Sequence, residues 1–193
     1  MVSLQKGQTV SLAKSDGGSL TKVAMGLGWD VRKGKGLFGL FGGGGGDIDL
    51  DASCLLFDGN RRMVDEVWFR QLSSKDGSIV HSGDNRTGAG DGDDETINVD
   101  LSRVPSSVQT LVFTVNSFQG DSFERIANAY CRLVDLTTGR EMARYDLTGE
   151  GSHTGQVMAK LTRNGQSWDM KALGERTMGR TFHDMSSAIN AVL

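Results

Sequence analysis

Apolar and polar residues alternate along much of this chain, at the period of two that marks a half-buried strand. Val23, Met25 and Leu27 in LTKVAMGLGWD share one parity, as do Val67 and Phe69 in MVDEVWFRQL. VSLQKGQTVSLA alternates on either side of Gly7 and predicts two short strands joined by a turn. TINVDLSRVPSSVQTLVFTVNSF reads as two strands around Pro105, and TLVFTVN within it has the apolar density of a strand buried in a core. KDGS and TTGR are hairpin signals, the second between AYCRLVDL and EMARYDL. Asn164-Gly165, set between alternating runs, predicts a type I′ turn. DSFERIANA predicts one or two helical turns capped by Asp121 or Ser122. The tail RTFHDMSSAINAVL spaces Phe182, Met185, Ile189 and Val192 as a closing helix would. Many short strands with frequent turn signals, and no regular exchange of helix and strand, predict an all-β chain: an antiparallel β-sandwich with short peripheral helices and a C-terminal helix.

At 193 residues the expectation is one domain over 1–193. A glycine-rich insertion loop over 33–46 interrupts it, carrying Leu37, Phe38, Leu40 and Phe41. GKGLFG in that loop matches a phosphate-binding glycine pattern, but five glycines follow where a helix would have to start. A net charge of -3 argues against nucleic acid as the main partner. The chain opens without a secretory pattern and no apolar run approaches the ~20 residues of a membrane span, so a cytoplasmic protein without a transmembrane segment is expected. Cys54 and Cys131 each sit in an apolar, strand-like run and are expected as buried free thiols.

The acids change the picture. Between His81 and Ile97 the chain carries Asp84, Asp91, Asp93, Asp94 and Glu95, threaded with glycines and with Arg86 as the one cation. A second cluster, Asp47, Asp49 and Asp51, shares one parity of a predicted strand. Unit charges about 4 Å apart repel by roughly 4 kcal/mol at an effective dielectric near 20. A compact loop of this composition wants a cation, and calcium takes carboxylate and carbonyl oxygens together. On that stretch alone, a calcium loop and a solvated acidic loop tip both remain open. It is no EF-hand, because Arg86, Gly88 and Ala89 fill positions where that loop needs acids and glycine. His81, His153 and His183 share no catalytic spacing. Paired carboxylates could serve glycoside hydrolysis, but aromatic residues are only 7%, too few for sugar platforms.

Taken together, LQKGQTVSL, GLGWD, IDLDAS, HSGDNRTGAGDGDDETI, VPSSVQTLVFTVN, NAYCRLVDLTTGREMARYDL and the late Trp168 to Gly174 segment resemble the TerD family of bacterial tellurium-resistance and stress proteins. The likeness spans nearly the whole chain and implies a β-sandwich holding two calcium ions. By that resemblance the ligands are Asp30, Asp49, Asp51, Asp84, Asn85, Asp91, Asp93, Asp94 and Glu95, with the Gly88 and Gly90 carbonyls. Asp47 falls outside the shared segment. The implied role is a non-enzymatic, calcium-ordered interaction module. Its partners would be other proteins of the tellurium-resistance system, at the inner face of the membrane. The alternative is a metal-dependent hydrolase or small-ligand-binding protein using the same acids.

Overall fold

The computed structural model describes residues 2–14, 17–31, 48–83, 92–147 and 151–193. The predicted insertion loop and the acidic stretch from Asp84 to Asp91 lie outside these residues. Twelve strands among the described residues form two six-stranded sheets. In chain order they are β1 (Val2–Ser3), β2 (Thr9–Ser11), β3 (Lys22–Val31), β4 (Leu50–Asp58), β5 (Met63–Val67) and β6 (Ile79–His81). Then come β7 (Glu95–Asp100), β8 (Val108–Ser117), β9 (Ile126–Asp135), β10 (Arg140–Asp146), β11 (Gly155–Asn164) and β12 (Ser167–Thr177). The first sheet runs β1-β10-β9-β3-β7-β6 and the second β2-β12-β11-β8-β4-β5. All neighbours are antiparallel except β1 and β10. The all-β sandwich expected from the alternation is what forms.

Period-two patterning builds the core directly. Val23, Met25, Leu27 and Trp29 of β3 enter the layer between the sheets. Ile48 and then Leu50, Ala52, Cys54 and Leu56 of β4 meet them from the other side. The second sheet is covered on its outer face as well. Leu55, Phe57, Trp68 and Val112 lie there under Phe182, Met185 and Ile189. These last come from a short 3₁₀ turn (Phe182–Met185) and helix α1 (Ser186–Val192). Coverage on both faces explains why β4 is buried at every position but its last.

Two local expectations differ from the outcome, and a third takes its shorter form. β1 and β2 do not pair with each other; the turn through Lys6 and Gly7 carries the chain from one sheet to the other. DSFERIANA forms the shorter of the two expected lengths, one 3₁₀ turn over Phe123–Arg125, capped as expected by Ser122, which accepts from the Glu124 N–H at 3.2 Å. Phe123 and Ile126 are both core residues, and their i, i+3 spacing suits a helix, but strand pairing with β3 claims the chain from Ile126 onward. In the β11–β12 hairpin, Asn164 pairs with Ser167, so the two loop residues are Gly165 and Gln166. Only Gly165 of these has positive φ, at 59°, which is the placement of a type II′ turn rather than I′.

Candidate functional site

The described acids gather where β3 ends and β4 and β7 begin. Two polar bonds tie the sheets together there. The Trp29 indole N–H donates to the Ile48 carbonyl at 3.1 Å, and Glu95 Oε2 accepts from the Ala52 N–H at 2.7 Å. Glu95 also stands 3.4 Å from His81 Nε2, with both side chains 0% exposed. His81 Nδ1 accepts from the Gly83 N–H at 3.0 Å, so the ring hydrogen lies on Nε2 and faces the carboxylate.

β3 grips Asp94 through its backbone. Asp94 Oδ2 accepts from the Trp29 N–H at 2.9 Å, and the Asp94 N–H donates to the Leu27 carbonyl at 2.8 Å. Burial raises the Asp94 carboxyl above the usual carboxylate range. The Trp29 N–H opposes that shift, and the charges of Asp30, Asp93 and Glu95 add to it. Four carboxylates therefore feel one another at this end of the sandwich. Asp30 is the outermost, its Oδ2 accepting from Asn128 Nδ2 at 2.9 Å.

Asp93 behaves differently from its neighbours. Its Oδ1 accepts from Arg132 Nε at 2.7 Å and from the Tyr130 hydroxyl at 3.2 Å. The same hydroxyl lies 2.8 Å from the Gly92 carbonyl, Arg144 stacks 3.7 Å above the Tyr130 ring, and Glu141 pairs with Arg132 at 3.2 Å. Two glycines make room for this. A side chain at Gly26 would overlap the Asp93 carboxylate, and one at Gly28 would come within 2.5 Å of Tyr130. GLG in GLGWD thus leaves a trough on the outer face of β3, opposite core residues Met25 and Leu27. Sequence reasoning missed Tyr130 and Arg132 as parts of the site. The legible trace was that pair of glycines at alternate positions of one strand.

Asp49 and Asp51 alternate with core residues Ile48, Leu50 and Ala52, so they face the outer side of the second sheet. Both are buried, at 6% and 3% exposure. Asp51 Oδ2 lies 3.4 Å from Asn116 Nδ2, and the Asp49 carbonyl accepts from the Phe118 N–H at 3.3 Å. Asp30, Asp93, Asp94 and Glu95 are therefore neighbours, and the Glu95 bond to Ala52 links them to β4, the strand that carries Asp51. Among the described residues no three His, Cys, Asp or Glu side chains stand together as a metal-holding group. Asp84, Asn85, Gly88, Gly90 and Asp91 lie outside the described residues.

Residues 1–186 match the TerD domain. The chain belongs to the TerD family. It is 56% identical over 189 residues to the tellurium resistance protein TerZ of Serratia marcescens, covering 98% of this chain and 97% of that one. It is 40% identical over 196 residues to the stress response protein SCP2 of Bacillus subtilis (strain 168), covering 96% and 98%. A Streptomyces coelicolor homologue of the telluride resistance protein TerD shares the fold, with a TM-score of 0.68 at 22% identity over 83% of this chain and 92% of that one. These relatives are named for resistance and stress, and this TerD-family chain is one of that kind. Among its described residues no helix is long and apolar enough to cross a membrane.

Both cysteines are free and fully buried, as expected from their runs. Burial raises both thiols, Cys131 to about 12 and Cys54 further. An alkylating reagent at pH 8 should leave the folded protein unmodified and label both positions in urea, as read by intact mass. Rapid labelling of the native chain would contradict this assignment.

Proposed function

We infer that this TerD-family protein is a calcium-binding stress-response module, in which the metal orders the acidic end of the sandwich for contact with other Ter-type proteins in the cytoplasm. The observation that carries it is Asp94, fixed by two backbone bonds within a field of three further carboxylates. A fold that spends structure on holding like charges together invites a cation. All the donors are hard oxygens, which suit calcium or magnesium rather than a thiolate-seeking metal.

Asp30, Asp94 and Glu95 would hold the ion from the first sheet, and Asp49 and Asp51 from the second. The loop would supply Asp84, Asn85, Asp91 and the Gly88 and Gly90 carbonyls, completing the two-ion set that the family likeness implies. Asp93, with Oδ1 engaged by Arg132 and Tyr130, would anchor the loop end while leaving Oδ2 to the ion. The bound cation would supply charge neutralisation, which joins segments that otherwise repel.

Calorimetric titration of chelator-stripped protein should show saturable calcium uptake near two equivalents, with magnesium weaker. A ligand that binds only the folded state stabilises it by about 2.7 kcal/mol at a hundredfold excess over its Kd. Calcium should accordingly raise the melting temperature by several degrees. Superimposable melts with calcium and with chelator would remove the proposal. Turnover on phosphoester or glycoside substrates at a calcium-loaded site would replace it with the hydrolase alternative.

A further inference from the structure

We propose that Lys160 is a modification site, whose amine takes an acyl group from an acyl phosphate while Lys171 and Arg61 receive the phosphate. Lys160 lies on β11 and pairs directly with Lys171 of β12 and with Val112 of β8. Both lysines alternate with core residues, Ala159 and Leu161 on one strand, Met170 and Ala172 on the other. They therefore project from the outer face of the second sheet, beside the apolar layer that holds Val112 under α1. Arg61, in the turn between β4 and β5, is close enough for its charge to act on Lys160.

Among the described residues none of these three cations forms an ion pair. Like charges directly opposite each other on neighbouring strands destabilise a sheet. One contact accounts for Lys160 alone. Its Nζ donates to the Val192 carbonyl at the end of α1, where a cation is favoured. Toward Lys160, Lys171 and Arg61 contribute repulsion, and an incoming phosphate turns that repulsion into attraction.

The same surroundings make the amine a nucleophile. Burial, then the charges of Lys171 and Arg61, lower the Lys160 pKa, so its free amine is commoner than that of a solvated lysine. The nitrogen lone pair attacks the acyl carbon and a C–N bond forms. The bond from that carbon to the phosphate oxygen breaks, phosphate leaves with the electron pair, and the proton shed by nitrogen passes to water. Lys160 is half-buried, whereas the side chains of Lys6, Lys22 and Lys75 are 57%, 59% and 77% exposed. Each of those three is held in an ion pair, with Glu175, Asp100 and Asp65 respectively. Accessibility alone would rank them above Lys160, while nucleophilicity ranks Lys160 first. Acylation removes the positive charge that Lys160 brings to the end of α1.

Incubating the full chain with acetyl phosphate at about pH 8 tests this, with the fraction acetylated at each lysine followed over time by peptide mass spectrometry. Lys160 is expected to react about threefold faster, or more, than Lys6, Lys22 and Lys75. Arg61→Gln and Lys171→Gln should each cut the Lys160 rate by about threefold and leave the other three lysines unchanged. The cut should be smaller with acetic anhydride, which carries no phosphate to be received. Acetylation of Lys160 no faster than that of the three exposed lysines would overturn the proposal, as would a rate indifferent to both substitutions. Equal cuts with the two reagents would overturn the phosphate-receiving role of Lys171 and Arg61.

Discussion

Replacing Glu95 with alanine is expected to lower the unfolding free energy by about 3 kcal/mol, measured by urea denaturation in the presence of chelator. The carboxylate is fully buried between the sheets. It accepts from the Ala52 N–H at 2.7 Å and faces His81 Nε2 at 3.4 Å. Truncation strands the buried Ala52 N–H and removes the charge that His81 Nε2 faces. Glutamine keeps an acceptor and should cost less than half as much. An alanine variant within about 1 kcal/mol of the parent would show that the cross-sheet bond contributes little.

Gly26→Ala should be the most damaging single methyl group on the first sheet. Its Cβ would occupy the space of the Asp93 carboxylate, which must then leave Arg132 and Tyr130. We expect a stability loss of about 2 kcal/mol from overpacking and the broken ion pair. A roughly tenfold loss of calcium affinity should accompany it, because Asp93 precedes Asp94 and Glu95 directly, at about 1.4 kcal/mol per tenfold. Arg132→Ala separates the two effects. It removes the anchor without the steric clash, so it should reproduce the affinity loss with a smaller change in stability. Unchanged calcium affinity in both variants, read by competition with a chromophoric chelator, would show that Asp93 takes no part in metal binding.

Much of the fold was legible because inward-facing residues at period two, such as Val23 to Trp29, leave few alternatives once one face must be dry. The same pattern says nothing about which strand lies beside which. VSLQKGQTVSLA reads as a hairpin, yet its halves serve opposite sheets, since a turn residue such as Gly7 allows either course. The hairpin at Gly165 was visible in place and wrong in type, because the frame of a two-residue loop depends on cross-strand register. The acids were conspicuous as composition. What holds them was not: Tyr130 and Arg132 lie 37 and 39 residues from Asp93 along the chain. Only the paired absences of side chains at Gly26 and Gly28 hinted that something had to rest on β3.

The second layer of apolar packing has a consequence for biosynthesis. Leu55, Phe57, Trp68 and Val112 are translated early, but Phe182, Met185 and Ile189 shelter them. A growing polypeptide therefore carries an oily stripe on a largely assembled sheet until residues 182–189 clear the ribosome, and chaperones or neighbouring nascent chains can compete for it in that interval.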